Sequence, residues 1–232
     1  MKILIIKFRN IGDVLLVSPL LKNLKNHYQN SSIDIAINKG TEAMVDVSPY
    51  VENVFTYNRE GVQSLTLVKK IWEEFKFIRS FRKRHYDIVI NLTEGDRGTQ
   101  IALFSKAKIR VGYPNKNKIF KNAFTHYLPE QKYRHTLETN LDPLRVLGIP
   151  IKNKRVEIFW DKKDQIFINS QLSGVGQFIH IHPVSRWMFK CINDQTTAKI
   201  IDYCELKLKI KVVITAAPID KEINKVNSIL AF

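Results

Sequence analysis

Asp13 is the first residue along the chain placed to do chemistry. It follows Phe8-Arg9-Asn10-Ile11-Gly12, and that segment follows an apolar run, Ile3 to Ile6, bracketed by Lys2 and Lys7. The run is too short to cross a membrane and reads as a strand buried on both faces, as in a parallel sheet. Gly12 predicts a sharp turn, because glycine reaches backbone angles closed to other residues. Beyond it Val14, Val17, Leu20, Leu21 and Leu24 recur at helical spacing. The carboxylate therefore belongs where a first strand ends and a first helix begins, the edge at which open α/β sheets bind ligands. Two readings stand: Asp is a good helix cap, and a carboxylate at that edge is a candidate general base. A helix dipole favours the ionised form but weakens it as a base, and burial by a substrate restores basicity. Pro19 allows a helix that starts at Ser18 or one that starts at Asp13 and bends; the second is expected.

Other reactive residue types gather at similar places. Thr93 to Gly98, TEGDRG, follows the apolar strand Tyr86 to Leu92 and falls on the same sheet edge as Asp13. Asp96 and Arg97 read either as a ligand-binding pair or as a local ion pair holding the loop. Arg134 and His135 precede a helix and read as phosphate contacts or as a solvated helix start. His180 and His182 alternate on a strand, so both point to one face, as a metal pair or as a polar strand end. Trp187 suits stacking on a base or packing in a core. Cys191 has no His/Asp arrangement at readable spacing that would make it a nucleophile. No Asp-x-Asp metal motif is evident, and no metal is expected.

Positioning these groups falls to a chain of 232 residues, enough for one large or two small domains. Apolar residues make up 44% and aromatics 10%, as in globular proteins. Two cysteines and the absence of a secretory pattern at the N-terminus fit a reducing, cytoplasmic setting. Net charge is +15, which selects anionic partners or a solvated lysine-rich surface. Basic residues cluster in Arg79 to Arg84 and from Lys106 to Lys121, the latter without an acid. They lack the interleaved aromatic pattern of nucleic-acid modules, so specific nucleic-acid binding is not expected.

Strands are predicted at 32–38, 51–57, 86–92, 109–112 and 123–128, with helices at 41–47, 64–84, from 100 onward and at 135–147, the last bent at Pro143. This alternation predicts an α/β fold with a largely parallel sheet. The charged segment from Lys152 to Lys163 reads as a connection, which divides the chain into 1–160 and 161–232. The second part shows two strands only, 178–182 and 211–215, with helices at 165–173, 194–206 and 221–230. Two parallel strands bury little, so this domain is expected to be incomplete.

Three segments together resemble the lipopolysaccharide core heptosyltransferases of glycosyltransferase family 9, in the heptosyltransferase III branch. They are Phe8-Arg9-Asn10-Ile11-Gly12-Asp13-Val14-Leu15-Leu16, Asn91-Leu92-Thr93-Glu94-Gly95-Asp96-Arg97-Gly98 and His182-Pro183-Val184-Ser185-Arg186-Trp187-Met188-Phe189-Lys190-Cys191; the tract from Thr139 to Ile149 also fits. The resemblance implies a GT-B-like fold of two Rossmann-like domains facing across a cleft, the first binding the acceptor and the second ADP-heptose. It implies inverting transfer of heptose to the inner core on lipid A, with Asp13 as general base. Ser185 and Lys190 would hold the donor diphosphate and Glu222 its ribose. Asn10, Asp96, Arg97, Arg134 and His135 would face the acceptor. Lysine and backbone N–H groups suffice for the phosphates, so no cofactor is implied. An anionic lipid-linked acceptor fits the basic N-terminal half and implies a peripheral position on the inner face of the bacterial inner membrane. On this reading Asp13 faces Lys190 across the groove. Where the family has glycine before Pro218, this chain has Ala216 and Ala217. Family members continue past the last residue here into an Asp-x-Gly-x-x-His donor segment. The isolated chain is therefore expected to be a poor transferase, or an acceptor-binding remnant.

Overall fold

The computed structural model describes residues 1–130 and 133–232. It divides into two compact units, Met1–Asp161 and Lys162–Phe232.

The first unit is built on a six-stranded, wholly parallel sheet. Its strands are β1 (Lys2–Lys7), β2 (Ser32–Asn38), β3 (Asn53–Tyr57), β4 (Ile88–Asn91), β5 (Ile109–Gly112) and β6 (His126–Tyr127). Their order, β3-β2-β1-β4-β5-β6, reverses direction between β1 and β4. That reversal is the switch point at which doubly wound sheets bind ligands. β1 alternates its side chains between two cores. Ile3 and Ile5 join Leu20, Leu21, Leu24 and Leu144 on one face, and Leu4 and Ile6 join Phe81, Val89 and Ile101 on the other. A strand buried on both faces needs the continuous apolar run seen at 3–6.

The helices that follow the strands depart from the sequence expectation at Pro19. Two helices replace the single bent one: α1 (Ile11–Leu15) and α2 (Ser18–His27), the second with Pro19 in its first turn. Proline has no N–H to donate and suits the opening turn. Gly12 lies inside α1 and is not among the positive-φ glycines, so the turn is made by the residues before it. A short α3 (Arg59–Gln63) precedes α4 (Leu67–Arg82), and α5 (Asp96–Ser105) starts inside the polar TEGDRG segment. The helix predicted at 135–147 is again two, α6 (Thr136–Asn140) and α7 (Asp142–Val146), divided before Pro143.

The charged segment read as a connection is partly docked on this unit. Asn23 of α2 accepts from the N–H of Lys152 (2.8 Å) and Asn153 (3.2 Å) and donates to the Asn153 carbonyl (2.6 Å). Glu157 accepts from Lys22 (2.5 Å) and Tyr50 (2.9 Å). Hydrogen bonds, which hydropathy does not display, hold this stretch in place.

The second unit contains α8 (Lys162–Gln171), β7 (Phe178–Ile181), α9 (Asp194–Asp202), β8 (Lys211–Ile214) and α10 (Asp220–Leu230), with a π-type turn over Tyr203–Lys207 after α9. β7 and β8 pair in parallel as a two-stranded sheet. Every position in both strands is half-buried or exposed. Asp194 ties α9 to α10 through Lys225 and through Ser228 (2.6 Å). Among the described residues, no helix is long and apolar enough to cross a membrane.

Candidate functional site

In the first unit, the loops after β1, β4 and β5 converge at the carboxyl edge of the sheet. Asp13 lies there, half-buried, as the third residue of α1. It is not the helix cap. That position belongs to Asn10, which makes no side-chain cap and whose carbonyl accepts from Val14 N–H at 3.1 Å. Among the described residues, no donor is hydrogen-bonded to the Asp13 carboxylate, so its lone pairs are available to a substrate proton.

Beneath Asp13 sits a residue that the apolar pattern hid. Lys7 ends β1 at 4% exposure. Its ammonium donates to Asn140 Oδ1 at 2.8 Å and reaches the Leu92 carbonyl at 3.5 Å. Asn140 in turn donates to the Leu16 carbonyl at 2.9 Å. Burial pushes Lys7 down to about 8, the Asp13 carboxylate opposes that shift, and Arg9 adds to it. Lys7 is thus a buried positive charge acting on the candidate base. A lysine closing an otherwise apolar parallel strand was the available signal; Asn140 had none beyond its place in a polar helix turn.

The loop after β4 is locked into the same edge. Thr93 accepts from Phe8 N–H at 2.8 Å, and Asn91 accepts from Thr93 N–H at 3.1 Å. A Cβ at Gly98 would sit 2.4 Å from the Asn91 side chain, so only glycine lets α5 pack this close to β4. Gly95, at φ +109°, supplies the backbone angle that opens α5. Asp96 accepts from Asn115 at 3.0 Å. Both line a broad pocket of 890 Å³ with Arg9, Tyr113, Lys116 and Glu130.

Arg97 does not join Asp96. Its guanidinium forks onto Glu74 (3.0 and 2.6 Å), donates to the Tyr57 hydroxyl (2.9 Å) and stacks over the Tyr57 ring at 3.8 Å. The ion pair it makes is therefore with Glu74 of α4 and not the local one with Asp96. Arg134 is likewise engaged within the chain, bidentate to the buried Asp142 at 2.7 and 2.9 Å. His135 caps α6 through Nδ1, which accepts from Leu137 N–H at 3.2 Å.

In the second unit a smaller pocket of 280 Å³ opens after β7, lined by His182, Ser185, Lys190, Cys191 and Thr197 among others. The structure therefore brings Ser185 and Lys190 together. Lys190 is exposed, and among the described residues no carboxylate pairs with it. His180 and His182 both turn to the Thr215 hydroxyl, at 2.8 and 3.0 Å. Trp187 is 54% exposed, which excludes the core reading. Glu222 is 6% exposed and accepts from Ala217 N–H at 2.8 Å, so its carboxylate fixes the turn at Ala216–Pro218 from within α10. Among the described residues, no group of three or more His, Cys, Asp or Glu is placed to hold a metal ion.

No protein-family profile matches the chain. It is 25% identical over 224 residues to lipopolysaccharide heptosyltransferase 3 of Escherichia coli, covering 94% of this chain and 64% of that protein. The chain thus spans less than two thirds of the length of this relative. Among solved structures, a glycosyl transferase family 9 protein from Veillonella parvula superposes with a TM-score of 0.82 at 20% identity, over 99% of this chain and 66% of its own. E. coli heptosyltransferase WaaC with ADP gives 0.77 at 16% identity, over 100% and 72%. These superpositions establish the fold.

Proposed function

We propose that this chain, a relative of the lipopolysaccharide heptosyltransferases with the GT-B-like α/β fold of family 9, transfers heptose from ADP-heptose to a sugar hydroxyl of the lipopolysaccharide inner core. The observation that carries the reading is Asp13: a carboxylate without a hydrogen-bonded donor, at the switch point of a doubly wound sheet, with a buried ammonium beneath it. Asp13 takes the proton from the acceptor hydroxyl. The freed oxygen attacks the anomeric carbon, the bond to the diphosphate breaks, and configuration inverts. Positioned proton transfer of this kind contributes about 10²–10⁴-fold. Charge then builds on the leaving ADP, and Lys190 with Ser185 offers it an ammonium and a hydroxyl.

The units divide the work: residues 1–161 bind the acceptor and 162–232 the donor. Asp96, with Asn10 and Arg9 at the same edge, faces the acceptor sugar. Arg97, Arg134 and His135 act there through the elements they fix. Glu222 holds the turn against which the donor ribose lies. The setting is the cytoplasmic face of the inner membrane, where a phosphorylated lipid-linked acceptor suits a chain of net charge +15.

The test is transfer from ADP-heptose to heptose-deficient core oligosaccharide, followed by mass spectrometry. Turnover is expected, with a loss of about 10²–10⁴-fold in Asp13→Asn. Unchanged turnover in that variant would remove Asp13 as the base. A second reading is favoured by the half-buried strands of the donor unit: a protein that binds acceptor without transferring. Calorimetry showing acceptor binding with no heat from ADP-heptose would establish it in place of the enzyme.

A further inference from the structure

α4 presents an apolar and cationic face to solvent. Val68, Trp72, Phe75, Arg79 and Arg82 follow one another at helical spacing along one side. Val68 is 78% exposed and Trp72 62%. The opposite side, through Phe77 and Phe81, packs into the sheet's second core, and Ile78 lies between the two sides. Phe104 of α5 is also exposed and lies beside Phe75, and two grooves meet there. One, of 590 Å³, is walled by Leu67, Ile71, Phe75 and Phe104. Lys70, Glu74, Asp96 and Arg97 are also in its lining. The other, of 450 Å³, shares Phe75, Ile78 and Phe104 and ends among Arg79, Arg82, Lys83 and His85. Of the two acids on α4, Glu74 is turned to Arg97.

We propose that this face of α4 and α5 docks on a bilayer containing anionic phospholipid. Trp72, Phe75 and Phe104 lie among the upper acyl chains, and Arg79, Arg82 and Lys83 on the phosphates. The juxtaposition selects the partner. A soluble anion would match the cations and leave the apolar groove wet. An apolar peptide would fill the groove and leave the cations unmatched. A second copy pairing through this same face would set Arg79, Arg82 and Lys83 against the same cations. An anionic lipid surface satisfies both parts at once, and an aromatic such as Trp72 favours the interface. The inference deepens the membrane setting proposed above and assigns it to named elements.

The experiment is co-sedimentation of the full chain with phosphatidylethanolamine vesicles, with and without phosphatidylglycerol. Binding is expected only with phosphatidylglycerol, weakening by about thirtyfold or more in Arg79→Glu/Arg82→Glu and clearly also in Trp72→Glu/Phe75→Glu. Lipids brominated in the acyl chain should quench tryptophan emission, and Trp72→Phe should keep binding while losing that quenching. This conservative variant keeps the test decisive if a charge-bearing variant misfolds. Equal binding by wild type and both double variants overturns the proposal. So does quenching unchanged in Trp72→Phe, or a wild-type dimer that the variants dissolve while vesicle binding is unmoved. Transfer to a deacylated, water-soluble acceptor separates the two readings. A chain that binds vesicles but transfers nothing refutes the enzyme, and one that transfers but ignores these vesicles refutes the docking face.

Discussion

A buried ammonium loses several kcal/mol of hydration, and hydrogen bonds must replace it. At Lys7, Asn140 and the Leu92 carbonyl do so in part, and the group titrates at about 8 instead of 10.5. The unfolded chain therefore carries a proton between those values that the folded chain has shed. Stability attributable to Lys7 must rise with pH from about 8, by up to about 1.4 kcal/mol per pH unit. Above 10 the phenols of Tyr50, Tyr57 and Tyr86 act the other way, all raised first by burial. Burial and a carboxylate partner raise Tyr57, to about 12, and Tyr86 further. Their folded-state stabilisation is present below pH 10 and is lost as pH climbs through those raised values. The clean window is thus pH 8 to 10, where denaturant titrations of wild type should show the rising slope and Lys7→Met should not. Activity is the second readout. If the ammonium supports Asp13, kcat/KM falls as pH passes about 8 in the wild type. Lys7→Met then runs at a low level without that limb; a limb persisting in the variant would assign it elsewhere.

Elements around the site are held by polar contacts made inside the chain. Asp142, 2% exposed, receives both Arg134 and Arg145, the latter at 2.7 Å, and so fixes α7 against the segment before α6. Asp142→Asn should lose about 2–4 kcal/mol in denaturant unfolding, since a buried charge network is costly to break. Arg134→Ala should also lower the melting temperature, which an arginine serving only a ligand would not do. α5 makes a different demand. Gly98→Ala would drive a methyl into the buried Asn91 amide and should cost about 1–3 kcal/mol. Alanine at Gly12, inside α1 and with nothing within 4 Å of an added Cβ, should raise stability by about 0.4–1 kcal/mol. Matching melts for the two glycine variants would refute this account of α5.

Across the whole molecule, burial is uneven. β1 is fully covered on both faces after Lys2, while no position of β7 or β8 is fully buried. Hydrogen exchange of the intact chain should find the slowest amides in β1, β2 and β4 and distinctly faster exchange in β7 and β8. Protection of β7 equal to that of β1 would show a cover on the second sheet that burial does not reveal. The sequence determined a good deal of this architecture alone. A four-residue apolar run, mostly β-branched and closed by turn residues, favours a doubly covered strand, and the alternation of strands and helices favours a parallel sheet. The place of Asp13 was legible from the apolar run before it and the helical spacing after it; that Asn10 and not Asp13 is the cap residue was not. Tertiary structure alone decided which carboxylates and cations stay available. Arg97, Arg134 and Glu222, expected at the site, meet Glu74, Asp142 and the Ala217 amide in the fold, partners that no local pattern announced. Lys7 read as a strand boundary until β4 and α6 enclosed it. Partners for these groups come from elsewhere in the chain, as far as 133 residues away for Lys7. Local pattern carries no record of such pairings, because the geometry that makes them exists only once the sheet has assembled.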